Sequence, residues 1–71
     1  MKSSDIKNIF KIELRKATTI NELVWIDTEY KQEERLAWED LLELIRTSRE
    51  KREAFEAEGQ RYTRATKPAW R

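Results

Sequence analysis

Residues 33–58 form the stretch that most constrains how this chain can fold. These 26 residues contain no Gly or Pro, are crowded with Glu, Arg, Leu and Ala, and end at Gly59, the only glycine. A run of strong helix formers closed by a residue that enters the left-handed region without strain predicts a long helix with its C′ position at Gly59. Within it Trp38, Leu41, Ile45, Ser48, Arg52 and Phe55 recur at alternating spacings of three and four. That pattern predicts one stripe facing one way for most of the helix.

A chain of 71 residues allows one small domain. A core of this size rarely supplies more than about 3–5 kcal/mol, so such domains often lean on a disulfide, a metal or a partner. The chain has no Cys and no His, which excludes disulfides and the usual zinc sites. Self-association or a second protein is the remaining support, so a protein partner is expected and a homodimer is an alternative. Three Trp, two Tyr and two Phe argue against disorder despite 41% charged residues. No apolar run approaches the roughly 18 residues of a membrane span, and no apolar leader follows the basic start. The expectation is a soluble, cytoplasmic protein that does not enter a membrane.

The net charge of +1 hides an uneven distribution: +3 over residues 1–17, −4 over 18–34, −2 over 35–58 and +4 over 59–71. Basic ends around an acidic middle are the main functional hint in the composition.

Three helices are predicted, over residues 5–17, 19–31 and 34–58. The first has Ser3 or Ser4 as N-cap, carries Ile6, Ile9, Phe10, Leu14 and Ala17 at helical spacing, and ends in Arg15 and Lys16, which suit its negative dipole end. Thr19-Ile20-Asn21-Glu22 is a capping box, in which the threonine oxygen and the glutamate carboxylate each satisfy the other's backbone amide. Ile20, Leu23, Val24, Ile26 and Tyr30 follow at core spacing, Asp27 is placed to pair with Lys31, and Trp25 falls off the stripe as either a wide-core residue or an exposed contact. A bend or short loop is expected near 31–34, although no turn residue marks it. The third helix is apolar as far as Ile45, whereas residues 46–53 contain no large apolar side chain. That half reads as a projecting solvated arm, with Arg46–Glu50, Arg49–Glu53 and Arg52–Glu56 as weak pairs and cover regained at Ala54, Phe55 and Ala57. Residues 1–59 are thus one helical domain, and residues 60–71 a basic aromatic tail interrupted by Pro68.

Chemistry has little to work with. Without His or Cys, general acid–base and nucleophilic catalysis fall to Asp, Glu, Lys, Tyr, Ser and Thr, and one glycine cannot build a phosphate loop. Glu39, Asp40 and Glu43 read as a solvated acidic face on the outside of the third helix rather than as a Mg²⁺ site. No enzyme, metal or cofactor is expected. Arg61, Arg64, Lys67 and Arg71, interleaved with Tyr62 and Trp70, have the cations that contact phosphates and the rings on which bases stack. The competing expectation is that the tail folds back over the acidic middle.

The order of a basic first helix ending in Arg15-Lys16, then Thr19-Ile20-Asn21-Glu22-Leu23, a charged arm with Arg46 and Arg52, and Trp70 near the end resembles the Hha/YmoA family. Those are small all-helical bacterial modulators that bind the nucleoid protein H-NS, so the resemblance implies a non-catalytic regulator. The family's Asp-His pair in the third helix would fall on Arg49 and Glu50, so its partner-binding acid is absent.

The expected fold is therefore all-α, a small bundle of about three helices with a long third one. The expected function is that of a small regulatory or adaptor protein that binds another protein through Trp25, Trp38, Leu41, Ile45 and Phe55. The alternative is a nucleic-acid-associated regulator, of Hha/YmoA type or otherwise, that uses Arg61, Tyr62, Arg64, Lys67, Trp70 and Arg71.

Overall fold

The computed structural model describes residues 2–62 and contains three helices: α1 (Ser3–Lys16), α2 (Ile20–Lys31) and α3 (Trp38–Ala57). α1 and α3 run parallel, because Ser3 meets Asp40 at one end and Leu14 meets Lys51 at the other. α2 runs antiparallel to both, and α3 packs against each of the other two helices. No strand occurs among the described residues.

The core follows from the helical stripes. Leu14 and Ala17 of the first stripe meet Leu23, Ile26 and Tyr30 of the second and Leu44 of the third, all buried. Phe10, Leu36, Leu41, Ile45 and Phe55 pack around them half-buried. Phe10 meets Tyr30 edge-to-face at 6.1 Å between ring centroids, a geometry worth about 0.5–1.5 kcal/mol beyond area alone. Ile9 and Ile12 stay outside at 44% and 51% exposure, so the core face of α1 is narrower than its apolar pattern.

The caps depart from expectation in instructive ways. Lys2, not Ser3 or Ser4, is the N-cap of α1, and its side chain makes no cap bond. The Ser3 hydroxyl is used elsewhere: it accepts from the Ala37 amide at 2.6 Å and donates to Asp40 Oδ2 at 2.5 Å, closing the start of α3 from outside. At α2 the Thr19 oxygen accepts from the Glu22 amide at 3.2 Å as predicted. The returning Glu22 carboxylate takes the Thr18 amide at 2.8 Å instead of that of Thr19, because the extended backbone at Thr19 aims the Thr18 amide back at the first turn.

The break after α2 is longer than predicted. Gln32 caps α2, Glu33 and Arg35 pair at 2.8 Å, and Leu36 tucks toward the core before α3 starts at Trp38 rather than near residue 34. The second half of α3 is not a projecting arm. Ser48 is buried, Phe55 packs on the core, and Lys51 Nζ donates to the Leu14 and Arg15 carbonyls at 2.5 and 2.6 Å. The Leu14 carbonyl otherwise accepts only the Ala17 amide, at 3.3 Å and shared with Glu13, so an ammonium at the negative end of α1 serves both carbonyls. None of the three Arg–Glu pairs at i,i+4 closes, and Ala54 and Ala57 stay exposed.

α3 ends as the glycine predicts. Gly59 sits at φ 94°, its amide reaches the Glu56 carbonyl, and the Gln60 amide reaches the Phe55 carbonyl, both at 3.0 Å. This pair of bonds is a Schellman closure. It turns the Gln60 side chain onto the α1–α2 corner, where Oε1 accepts from the Ile20 amide at 3.2 Å and Nε2 donates to the Thr18 carbonyl at 3.3 Å.

Candidate functional site

α3 carries two stripes, not one. The inner stripe is Leu44, Ser48 and Phe55, facing the core. The outer is Trp38, Leu42, Ile45 and Arg49. Trp38 is 67% and Leu42 45% exposed, Ile45 is half-covered by the edge of the core, and Arg49 is exposed. The predicted single stripe merged the two. From Trp38 to Phe55 is seventeen positions, and at 100° per residue these two side chains lie about 100° apart around the helix.

Ile45 and Arg49 form a ridge with a groove on each flank. On one side, Leu23, Val24, Asp27 and Lys31 of α2 face the ridge and Arg52 across a cleft of about 190 Å³. On the other, Leu42, Arg46 and Glu50 border a shallower depression of about 390 Å³. Trp38 stands at the N-terminal end of this strip. An exposed Trp and Leu beside a half-exposed Ile, with arginines following, make the most contiguous apolar feature of α3's surface.

The electrostatics beneath are ordered. Lys31 pairs with Asp27 at 2.7 Å, the predicted i,i+4 bridge. Asp27 also accepts from the buried Tyr30 hydroxyl, and the buried Ser48 of α3 lies on the same side of the phenol. Burial first, then the Asp27 carboxylate, pushes the Tyr30 phenol well above its ordinary value. On the opposite flank Lys7 reaches Glu43 at 2.8 Å and Asp40 at 3.6 Å, and Lys11 reaches Glu43 at 3.2 Å. Hydrogen bonds from Lys7 and Lys11 hold the Glu43 carboxyl below the usual range. The expected solvated patch of Glu39, Asp40 and Glu43 is therefore split. Asp40 and Glu43 join α3 to α1, and the exposed Glu39 has no ion pair among the described residues. Among the described residues no group of side chains suits a metal ion.

The predicted contact residues separate accordingly. Trp38 and Ile45 lie on the outer ridge. Leu41 and Phe55 pack against the core, with Lys51 Nζ 5.6 Å over the Phe55 ring. Trp25 is half-buried on α2, about 100° round the helix from Val24 and off the ridge. Its indole N–H is shielded from solvent and has no acceptor among the described residues. Leu42, Arg49 and Val24 were missed. The four–three–four spacing of Trp38, Leu42, Ile45 and Arg49 carries the first two, but it competes with the three–four spacing that leads from Trp38 to Leu41; nothing on α2 marks Val24 as a contact. Of the tail residues, Arg61 is exposed and the Tyr62 ring lies 5.8 Å from the Arg52 guanidinium. Arg64, Lys67, Trp70 and Arg71 lie outside the described residues.

Comparison with known protein families, with curated protein sequences and with solved structures returns no match to this chain. The Hha/YmoA resemblance gains no support there. Arg49 and Glu50, at the positions of that family's Asp-His pair, are both exposed.

Proposed function

We propose that this chain is a small non-catalytic regulatory or adaptor protein of the cytoplasm, and that it acts by presenting the outer face of α3 to another protein chain. The observation that carries this reading is the strip Trp38–Leu42–Ile45. Its apolar side chains are held outward while the core is filled by a separate stripe. A Trp left 67% exposed beside arginines, on a helix fixed along both edges, fits the composition of protein-binding hot spots. The absence of His and Cys from the sequence, with grooves too shallow to enclose a substrate, favours binding over catalysis.

A nucleic-acid role has less behind it. Glu50, Glu53, Glu56 and Glu58 break up the positive charge along α3, and the Tyr62 ring is already faced by Arg52.

The test is affinity capture with the full chain, with and without nuclease, comparing wild type with Trp38→Glu and Leu42→Glu. A specific protein retained after nuclease by wild type and lost by both variants, with helical content unchanged, is the expected result. Retention that disappears with nuclease, or that both variants keep, would overturn the reading.

A further inference from the structure

We infer that the chain seated on the outer face of α3 is a second copy of this protein, docked antiparallel along its own α3. The inference rests on the reading of that face as a protein-binding surface and names its occupant.

Trp38, Leu42, Ile45 and Arg49 are spaced four, three and four apart, the repeat of a two-helix seam, and all four reach the surface at least in part. Place two α3 helices antiparallel, with the two-fold axis level with the Glu43–Leu44 peptide. Leu42 of each copy then meets Ile45 of the other at the centre. Trp38 of each meets Arg49 of the other at the ends. Every layer is complementary: aliphatic against aliphatic inside, indole face against guanidinium outside, the pairing that Arg and Trp favour most when water is excluded.

The flank supplies an independent match. Glu39 and Arg46 follow Trp38 and Ile45 on the same edge of the seam, and neither has an ion pair among the described residues. In the antiparallel arrangement Glu39 of one copy falls beside Arg46 of the other, and the symmetry repeats the pair. A parallel arrangement would set Arg49 against Arg49 of the second copy across the seam, which like-charge repulsion disfavours, and would carry Glu39 and the second copy's Arg46 to opposite edges, losing the pair. The face is also self-complementary by construction, as an isologous contact must be.

The seam is short. From Trp38 to Arg49 α3 advances about 17 Å, which buries less than a standard interface, so a reversible dimer in the micromolar range is expected.

Sedimentation velocity on the full chain from about 5 to 500 μM tests this directly. Wild type should rise from 8.6 kDa toward twice that mass. Trp38→Glu and Leu42→Glu should stay at the mass of one chain with unchanged circular dichroism. Glu39→Arg and Arg46→Glu should each weaken association several-fold, and the double exchange should restore it, a signature that unspecific apolar association does not give. A wild-type protein that stays at one chain's mass throughout, or a double exchange that fails to restore the dimer, would overturn the inference. A photo-cross-linking residue at Leu42 in the expressing cell separates this outcome from failure of the surface reading. An adduct at twice the chain's mass supports the second copy. An adduct with a different protein overturns it and leaves the surface reading intact. No adduct overturns both.

Discussion

The Ser3 hydroxyl bridges Asp40 and the Ala37 amide, 37 and 34 residues further along the chain, and so serves as the cap that α3 lacks locally. Replacing it with Ala leaves the Ala37 amide and one Asp40 oxygen to water. Ser3→Ala should cost about 1–2 kcal/mol, or roughly 5–10 °C in Tm. Thermal melts followed by circular dichroism check this. A loss no larger than that of the exposed Ser4→Ala control would show that the bridge contributes nothing.

Gly59 is the other terminus device. A side chain there meets no neighbouring atom within 4 Å, so the cost of Gly59→Ala is backbone strain at φ 94° alone, about 1 kcal/mol. Gly59→Asn should cost less, because Asn tolerates the left-handed region. Gln60→Leu removes the ties to Ile20 and Thr18 and should destabilise by about 1–2 kcal/mol while leaving the Schellman bonds in place. Urea midpoints of the three variants give that order or contradict it.

Tyr30 makes the fold sensitive to alkali. Its phenol is held protonated above the ordinary value of 10.0, so the unfolded chain releases that proton first. Stability from this group is present below pH 10 and falls as pH rises beyond it. Tyr30→Phe should lower stability at neutral pH by about 1–2 kcal/mol and flatten the decline above pH 10. Denaturation curves from pH 7 to about 11.5 for both proteins separate the two effects. Parallel declines would assign the alkaline loss to other groups.

Glu43 acts at the other end of the scale. With its carboxyl held low by Lys7 and Lys11, its contribution is complete at neutral pH and disappears as pH falls through the depressed folded value. Glu43→Gln should be less stable than wild type at pH 7, with the gap narrowing in high salt and closing in strong acid. Melting temperatures of the two proteins from pH 7 down to about 2 provide the comparison. A gap that persists in acid would point to packing rather than charge.

Much of the architecture was readable from short-range pattern. Thr19 with Glu22, Asp27 with Lys31, and Gly59 as terminator are signals within four residues, and each forms in some version. What escaped depended on distance in sequence. Nothing near Ser3 announces that its hydroxyl belongs to α3, and nothing near Lys51 or Gln60 says that they cap the first helix and the first corner. The supposed arm looked uncovered because Lys51 counts as a charge in a pattern, although its ammonium is held by the Leu14 and Arg15 carbonyls. The binding face was half found for a related reason. A stripe repeating at 3.4 residues drifts around a helix of 3.6, so it began on the outer surface at Trp38 and finished in the core at Phe55.

The buried Tyr30 and Ser48, with the half-buried Asp27, have a consequence for which side of α3 the protein shows to others. Aliphatic side chains alone would let α3 turn about its axis with modest loss, since Leu41, Leu44 and Ile45 could trade places against α2. A buried phenol bonded to a carboxylate on its own helix, with the polar Ser48 buried beside it on the next, resists that. Rolling α3 by one position would strand the Tyr30 oxygen away from Ser48 and carry Trp38 and Leu42 toward the interior. One small polar contact thus acts as a rotational key, and it decides that the tryptophan is worn on the outside.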